Sequence, residues 1–189
     1  MRRPALTLLE LLIAISIVGI LFAMLITGIQ SVRSSAATAE CAAKLRQIGL
    51  ALHAHHDTRG RFPSQRNIHT AAWLFKLLPF IGQESLYRQG FSCDPESYGR
   101  TWYTSVPAYL CPADLREPDG IYWFNGYGYA MTSYLGIADG IIRETEVRIM
   151  DVTAGLSNTL MVGERPPGPD RFWGWWAYHT YDSNLWSVG

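Results

Sequence analysis

The stretch that decides the fold is Leu6–Ile29, LTLLELLIAISIVGILFAMLITGI, in which Glu10 is the one charged residue. About 20 apolar residues in a helix cross the ~30 Å hydrocarbon core of a bilayer. Residues 6–29 are therefore predicted to form a transmembrane helix. Arg2 and Arg3 come before it, and the positive-inside rule then predicts a cytoplasmic N-terminus with the rest of the chain on the opposite side.

Three simpler interpretations of this segment remain open. Ala37-Thr38-Ala39 has the form of a signal-peptidase site, but it lies ten residues past the apolar run. A lipoprotein site at Cys41 is disfavoured because Glu40, not a small residue, precedes it. A plain anchor leaves Glu10 unexplained, since a carboxylate facing lipid costs several kcal/mol unless it is paired or snorkels to the interface.

Residues 2–10, RRPALTLLE, resemble the type IV prepilin motif: a basic leader, a small residue, an apolar residue, Thr, two apolar residues and Glu. The resemblance implies peptidase cleavage between Ala5 and Leu6, with Ala5 standing where Gly is usual. Glu10 then becomes the fifth mature residue. In that family this Glu pairs with the N-terminal amine of a neighbouring subunit, which implies an assembly role for Leu6 and Glu10.

The helix is predicted to continue beyond the membrane. No Pro occurs between Leu6 and Phe62, and Gly60 and Pro63 are suitable residues to end a helix near Asp57. Glu40 and Lys44 form a supportive i,i+4 pair. An apolar stripe at helical spacing indicates that residues 30–57 pack one face on a globular head; the stripe is Cys41, Leu45, Ile48 and Leu52.

Residues 58–189 are predicted to form an α+β head, giving a pilin-like fold with the long helix packed on a small antiparallel sheet. Short helices are expected at Thr70–Leu78, stopped by Pro79, and at Glu84–Gln89. Asp119-Gly120 and Asp139-Gly140 are turn signals. Runs rich in β-formers predict strands: Tyr109–Cys111, Ile121–Phe124, Ser133–Ile137, Glu146–Met150 and Thr159–Val162.

A second resemblance covers most of the chain. It is similar to the DUF1559 family of pilin-like proteins in the segments CAAKLRQIGLALH (41–53), LCPAD (110–114), TSYLG (132–136) and GLSNTLMVGE (155–164). This implies a prepilin-type membrane helix with a periplasmic or extracellular head. Members usually end in a His and an Asp-Gly strand that is not present before Gly189, so we expect either a truncated chain or a variant without a closing strand.

Three cysteines in an extracytoplasmic head allow one disulfide and one free thiol. The DUF1559 resemblance implies the pair Cys41–Cys111, because members join a helix Cys to the Cys of a CPSD-like segment. Cys93–Cys111 remains the alternative because its loop is short. Cys93 lies in a polar, turn-like setting, and the first pairing leaves it free.

Few residues indicate a catalytic, metal-binding or cofactor-binding site. His53, His55, His56 and Asp57 have helical metal-ligand spacing without a second ligand set, and Gly126-Tyr127-Gly128 is interpreted as a turn. Asp151, Asp170 and Asp182 lack the spacing of a calcium loop. The zero net charge gives no reason to expect nucleic acid binding. We expect no catalytic residue, cofactor or metal.

These observations predict a non-enzymatic pilin or type II secretion pseudopilin-like subunit. Its partners are prepilin peptidase and other filament subunits, and it is anchored in the inner membrane with a periplasmic head that is extracellular once assembled. Residues 1–5 form the leader. The alternative is a monomeric membrane-anchored binding protein that stacks glycans on Trp173, Trp175 and Trp176.

Overall fold

The computed structural model describes residues 7–64, 72–91, 101, 103–114, 119–124, 126–137, 141–142, 145–165 and 184–185. The chain divides into two compact units, Met1–Ala39 and Glu40–Gly189. Helix α1, Leu8–Arg59, contributes residues to both. The long N-terminal helix and the small β-sheets of the second unit confirm the predicted α+β, pilin-like class.

Helix α1 ends where the sequence contains a residue suited to a left-handed backbone. Gly60 has φ of +72°, and its N–H donates to the carbonyl of His56 at 2.6 Å. This is the common way in which a glycine just beyond a helix satisfies one of the last carbonyls. The prediction that α1 continues past the apolar segment is confirmed, and the helix ends at Arg59, two residues beyond the predicted Asp57.

In the second unit, α1 buries the predicted stripe. Cys41, Ile48 and Leu52 are at most 3% exposed, and Leu45 packs against the same core. Ala51 and His55 are also buried, so the buried face continues to the last turn of the helix. At about 1.5–3 kcal/mol for each large side chain that is fully buried, this face contributes several kcal/mol to the docking of the helix.

Two short helices cover the core. Helix α2 spans Trp73–Leu77, a 3₁₀ turn follows at Leu78–Ile81, and helix α3 spans Glu84–Phe91. Pro79 ends the α-helix as predicted, but the chain continues as a 3₁₀ turn because a proline near the start of a turn needs no N–H partner. The largest fully buried side chains are Trp73, Tyr109, Tyr134, Phe62, Ile48, Leu52, Leu74, Leu77, Leu78, Ile141 and Ile142.

The strands form two small sheets. Strands β1 (Ile121–Phe124) and β2 (Tyr127–Ala130) make an antiparallel hairpin in which Ile121 faces Ala130. Strands β3 (Tyr134–Ile137), β4 (Val162–Glu164) and β5 (Asn184–Leu185) form the second sheet in the order β4-β3-β5. The β3–β4 pair is antiparallel, with Tyr134 opposite Glu164, whereas β3 and β5 are parallel.

The predicted strand Tyr109–Cys111 is wrong. Pro107–Tyr109 form a 3₁₀ turn, and Leu110 is extended after it. Pro107 begins the turn without needing a donor, and the Tyr109 N–H donates to the carbonyl of Val106 at 2.8 Å. Isolated hydrogen bonds, and not a strand ladder, connect this segment to the sheet region. In one of them the Ser133 N–H donates to the Tyr109 carbonyl at 2.8 Å.

Glu146–Met150 is not a strand either, because a local ion pair closes a turn there. Ile149–Asp151 form a 3₁₀ turn in which the Arg148 N–H donates to Asp151 Oδ2 at 3.0 Å and the Asp151 N–H donates to the Arg148 carbonyl at 3.0 Å. Strand β4 begins at Val162, not Thr159, since Leu156–Asn158 form another 3₁₀ turn directly before Thr159. The predicted strands at Ile121–Phe124 and Ser133–Ile137 are confirmed, the latter beginning at Tyr134.

The predicted turn at Gly126-Tyr127-Gly128 is confirmed at Gly126, but Tyr127 and Gly128 belong to strand β2. Strands β1 and β2 are joined by two residues, 125 and 126, and Gly126 has φ of +81°. Asn-Gly is the strongest short hairpin signal in a sequence. Asp119-Gly120 precedes β1 instead of joining two strands, Gly128 lies within β2, and Asp139-Gly140 falls outside the described residues.

Candidate assembly site

The first turn of α1 is closed by a reciprocal pair of side chains. The backbone N–H and the hydroxyl of Thr7 both donate to Glu10 Oε2 at 2.8 Å. The Glu10 N–H donates in return to Thr7 Oγ at 3.3 Å. This is the capping box, in which a Thr before the helix and a Glu three residues later satisfy each other's backbone donors. The Thr-x-x-Glu spacing of the sequence is the signal for this cap, and the prepilin resemblance by itself does not indicate it.

The Glu10 carboxylate retains capacity for a further partner. A carboxylate has about four acceptor positions on its two oxygens, and the Thr7 groups bond to Oε2. Among the described residues, Thr7 is the one hydrogen-bond partner of this side chain. Ala5 and Leu6, which flank the predicted cleavage site, lie outside the described residues.

Behind this first turn, α1 presents apolar side chains on all sides. Sixteen large apolar side chains between Leu8 and Val32 are each at least 49% exposed in the single chain. Monomeric soluble proteins rarely expose a contiguous apolar surface of this extent. In the described part of the chain, α1 is the one helix long and apolar enough to cross a membrane.

Two hydroxyl groups of the first unit, those of Ser16 and Thr38, bond to carbonyls of the helix itself. Ser16 Oγ donates to the carbonyl of Leu12 at 2.7 Å, and Thr38 Oγ donates to that of Ser34 at 3.1 Å. Such bonds to the preceding turn leave no unpaired donor on the side chain. Ser16 is therefore compatible with an environment of lipid or neighbouring apolar helices, where an unpaired polar group is costly.

A disulfide joins α1 to the turn region of the head. Cys41 and Cys111 are 70 residues apart in sequence, and their Cα atoms are 5.1 Å apart. This is the pairing that the DUF1559 resemblance implies; Cys93 lies outside the described residues. Both cysteines are buried, at 3% and 2% exposed. A covalent link thus fixes the buried face of α1 to the head.

Polar side chains surround this link. Lys44 Nζ donates to the carbonyl of Leu110 at 2.8 Å and pairs with Glu40 Oε1 at 2.8 Å, which confirms the predicted i,i+4 pair. The Cys111 N–H donates to Ser133 Oγ at 3.0 Å. The Ser133 hydroxyl in turn donates to Asp114 Oδ2 at 2.8 Å.

Buried tyrosines anchor the same region. The Tyr109 hydroxyl donates to the carbonyl of Leu74 at 2.7 Å, and its complete burial raises the pKa of Tyr109 well above its usual value. The Tyr134 hydroxyl donates to the carbonyl of Cys41 at 3.3 Å. Each tyrosine therefore ties the segment that carries it to a helix of the head.

The histidines at the end of α1 take partners in the head. His55 Nδ1 bonds the carbonyl of Arg61 at 2.9 Å, so this nitrogen carries the proton. Burial lowers the pKa of His55, aided by the nearby Lys76 and Arg59 charges, while the bond to Arg61 opposes the shift. His56 Nε2 accepts from the Ile149 N–H at 3.3 Å, and His53 contacts the Phe62 ring edge-on with centroids 5.8 Å apart.

Of the candidate calcium ligands, Asp151 is the one that lies among the described residues. Asp151 bonds to Arg148 at 2.9 and 3.0 Å, and these bonds lower the pKa of the Asp151 carboxyl to about 2. Asp170, Asp182, Trp173, Trp175 and Trp176 lie outside the described residues. Within the described ranges, one group of side chains has metal-ligand spacing, and it consists of Cys41, Cys111 and Glu164.

Comparison with known families agrees with this arrangement. The family described as "Protein of unknown function (DUF1559)" matches residues 30–187. The prokaryotic N-terminal methylation motif matches residues 1–26, the segment that contains the Thr7–Glu10 pair and most of the exposed apolar surface. No curated protein and no solved structure matches the chain significantly.

The methylation motif implies processing by prepilin peptidase and pilin-like assembly, and together with the apolar helix it indicates a membrane-anchored protein. The family match covers most of the chain, from the middle of α1 to beyond β5. The chain is therefore a member of the DUF1559 family that carries a prepilin-type N-terminal methylation motif.

Proposed function

We propose that the chain is a non-enzymatic pseudopilin-like subunit that assembles into a filament through residues 6–29. Prepilin peptidase cuts between Ala5 and Leu6, and the helix leaves the membrane by packing against helices of neighbouring subunits. One observation carries the proposal: a helix with an apolar surface exposed on all sides has a carboxylate, Glu10, in its first turn.

A carboxylate at that position needs a charged partner once lipid or protein surrounds the helix. The Thr7 bonds satisfy one oxygen and the start of the helix favours negative charge, but neither supplies a full positive charge. The amine of Leu6 on a neighbouring subunit does so. Breaking a buried ion pair costs about 3–5 kcal/mol, which changes an assembly equilibrium by two or more decades.

The charge distribution supports one orientation in the membrane. Arg2 and Arg3 favour a cytoplasmic N-terminus by the positive-inside rule. The Cys41–Cys111 disulfide favours an oxidising compartment for the head. We therefore propose an inner-membrane precursor with a periplasmic head, which becomes extracellular in a type IV pilus-like or type II secretion filament.

The test separates the charge of Glu10 from its capping role. Gln serves in a capping box as Glu does, so Glu10→Gln keeps the helix cap and removes the charge. We expect wild-type protein in the sheared filament fraction of cells that contain the assembly machinery. Glu10→Gln protein should stay in the membrane fraction with a folded head.

Glu84→Gln is the matched control, because Glu84 is an acidic residue in the first turn of α3 whose partner, Arg88, lies on the same helix. It should form filaments at the wild-type yield. Normal filament yield from Glu10→Gln would contradict the charge pairing. Wild-type protein confined to membranes as a monomer would indicate the anchored binding protein instead.

A further inference from the structure

One tryptophan of the head is largely exposed to solvent. Trp73 is fully buried in the core, whereas Trp123, in strand β1, is 64% exposed. An indole is one of the largest apolar groups that a fold can bury. Most of the Trp123 indole therefore contributes nothing to the core and is accessible to another molecule.

The β1–β2 hairpin holds Trp123 in a defined position. Trp123 is paired with Gly128 across the ladder. At one end of the hairpin the chain turns at Gly126 with φ of +81°, and at the other end the Met131 N–H donates to the Gly120 carbonyl at 2.8 Å. A side chain on a strand that is fixed at both ends is better positioned for binding than one on a loop.

The missing side chain at Gly128 makes room for the indole to lie on the hairpin. A Cβ atom at Gly128 would lie 3.4 Å from Trp123 Cη2 and 3.0 Å from both Tyr103 Cδ1 and Ile121 Cγ2. Because Cη2 is at the far end of the ring system, the indole extends across β2 and does not stand away from the sheet. Gly128 is buried while Trp123 is exposed, so the hairpin supports the indole on one side and solvent meets it on the other.

The open aromatic surface has the size of one flat ring and not of a protein interface. A Trp side chain offers about 150–250 Å², whereas each partner in a stable protein complex contributes about 800 Å². In the described part of the head, the other large apolar side chains that are exposed all lie outside the hairpin: Leu50, Ile149, Met150 and Leu160. A ligand with a small, flat apolar face matches this surface.

The composition of the hairpin indicates a neutral ligand. Residues 121–124 and 127–130 read IYWF and YGYA, and neither strand contains a charged residue. The face of an indole carries partial negative charge, which attracts the partially positive C–H bonds of a ligand. A β-linked pyranose presents C–H bonds on its flat faces and hydroxyl groups at its rim.

We propose that Trp123 is a stacking platform for a pyranose ring of a β-linked polysaccharide, with Gly128 as its support and Tyr103 beside it. The inference goes beyond the proposed function and is independent of filament assembly. A single stacked ring binds weakly. Many heads held together in one assembly would bind one polymer with higher avidity.

The experiment measures binding of the full chain to insoluble cellulose and insoluble chitin, which are both β-linked polymers. The protein is kept in micelles of a detergent without a sugar headgroup, because a glucoside or maltoside would compete for the same surface. Bound and unbound protein are separated by centrifugation over a range of polymer concentrations. We expect the wild-type protein to bind cellulose or chitin, and soluble oligosaccharides of that polymer to release it.

Matched variants decide whether the indole makes the contact. Trp123→Leu keeps an apolar side chain without a flat ring and should weaken binding by at least about fivefold, the size of effect seen when an aromatic stacking partner is removed. Leu160→Ala removes another exposed apolar side chain of the head, 74% exposed, and should bind as the wild type does. Denaturant titrations check that both variants are folded.

A measurement on the wild-type protein covers the case in which Trp123→Leu does not fold. Soluble oligosaccharide should shift the indole N–H signal of Trp123 in NMR spectra and leave that of buried Trp73 in place. Trp123→Phe assigns the first signal. An unchanged Trp123 signal at saturating oligosaccharide would contradict stacking.

The proposal is overturned if the wild-type protein binds neither polymer, or if Trp123→Leu binds as tightly as Leu160→Ala. It is also overturned if Trp123→Leu lowers the filament yield and the wild type does not bind polysaccharide, because Trp123 would then contact a neighbouring subunit. Binding to cellulose or chitin does not require filaments, so this proposal and the proposed function fail separately.

Discussion

Thr7 and Glu10 cap each other: the N–H and the hydroxyl of Thr7 both reach Glu10 Oε2 at 2.8 Å. A single chain therefore completes the first turn of α1 without help from a neighbour. The residue to which the prepilin resemblance gives an assembly role has a local structural role as well. Any test of Glu10 in assembly must separate the two.

The Thr7 cap should be measurable by itself. Removing an N-cap hydroxyl costs about 0.5–2 kcal/mol, so Thr7→Ala should speed amide hydrogen exchange in the first turn of α1 in micelles. Thr7→Ser keeps the hydroxyl and should exchange as the wild type does. Equal exchange rates for Thr7→Ala and the wild type would show that the capping bonds do not persist in solution.

The Cys41–Cys111 disulfide should contribute strongly to the stability of the head. Closing a loop across the 70-residue separation stabilises a fold by about 4 kcal/mol in the chain-entropy model. We expect Cys41→Ser/Cys111→Ser to lose about that much free energy of unfolding in denaturant titrations of the full chain. Cys93→Ser should be close to the wild type, and an equal loss for Cys93→Ser would place the disulfide elsewhere.

Two helical glycines should respond oppositely to alanine. A Cβ atom at Gly90 would lie 2.5 Å from Phe75 Cε2 in the core, whereas one at Gly49 would have no neighbour within 4 Å. Gly49→Ala should therefore stabilise the chain by up to about 1 kcal/mol through helix propensity. Gly90→Ala should destabilise it by about 1–3 kcal/mol through overpacking. Unfolding titrations that move both variants in one direction would contradict the packing of α3 on Phe75.

His55 should make the head less stable in mild acid. Burial lowers its pKa in the folded chain, while the unfolded chain has the ordinary value of about 6.5. Between these two values the unfolded chain binds more protons, so stability falls as the pH drops below about 6.5. His55→Asn retains a donor for the Arg61 carbonyl and cannot titrate. Its loss of stability between pH 7 and pH 5 should be smaller than that of the wild type, and identical losses would contradict the assignment.

The sequence predicted those parts of the fold in which periodicity is long. The stripe from Cys41 to Leu52 specifies one buried face over several turns, and Gly60 ends the helix because its left-handed backbone suits a glycine. Glu10 stood out because it is the one charge in the apolar segment. These signals depend on many residues or on a residue with unusual backbone freedom.

The short elements of the head were less predictable. Tyr109–Cys111 and Glu146–Met150 are rich in β-formers, but Pro107 and the Arg148–Asp151 pair close local turns there. The summed β-propensity of three to five residues is small, so a single proline or ion pair is enough to decide the conformation of the run. Cys41, Cys111 and Glu164 lie close together although they come from distant parts of the chain. The sequence does not indicate that Glu164 is near the disulfide, because the position of Glu164 depends on the β3–β4 register.

N-terminal mass spectrometry of the native protein tests the central claim most directly. In cells that contain prepilin peptidase, we expect a mature chain that begins at Leu6 and carries a methyl group on its amine. A chain that begins at Met1, or one that begins at Glu40 after signal-peptidase cleavage, would contradict the account.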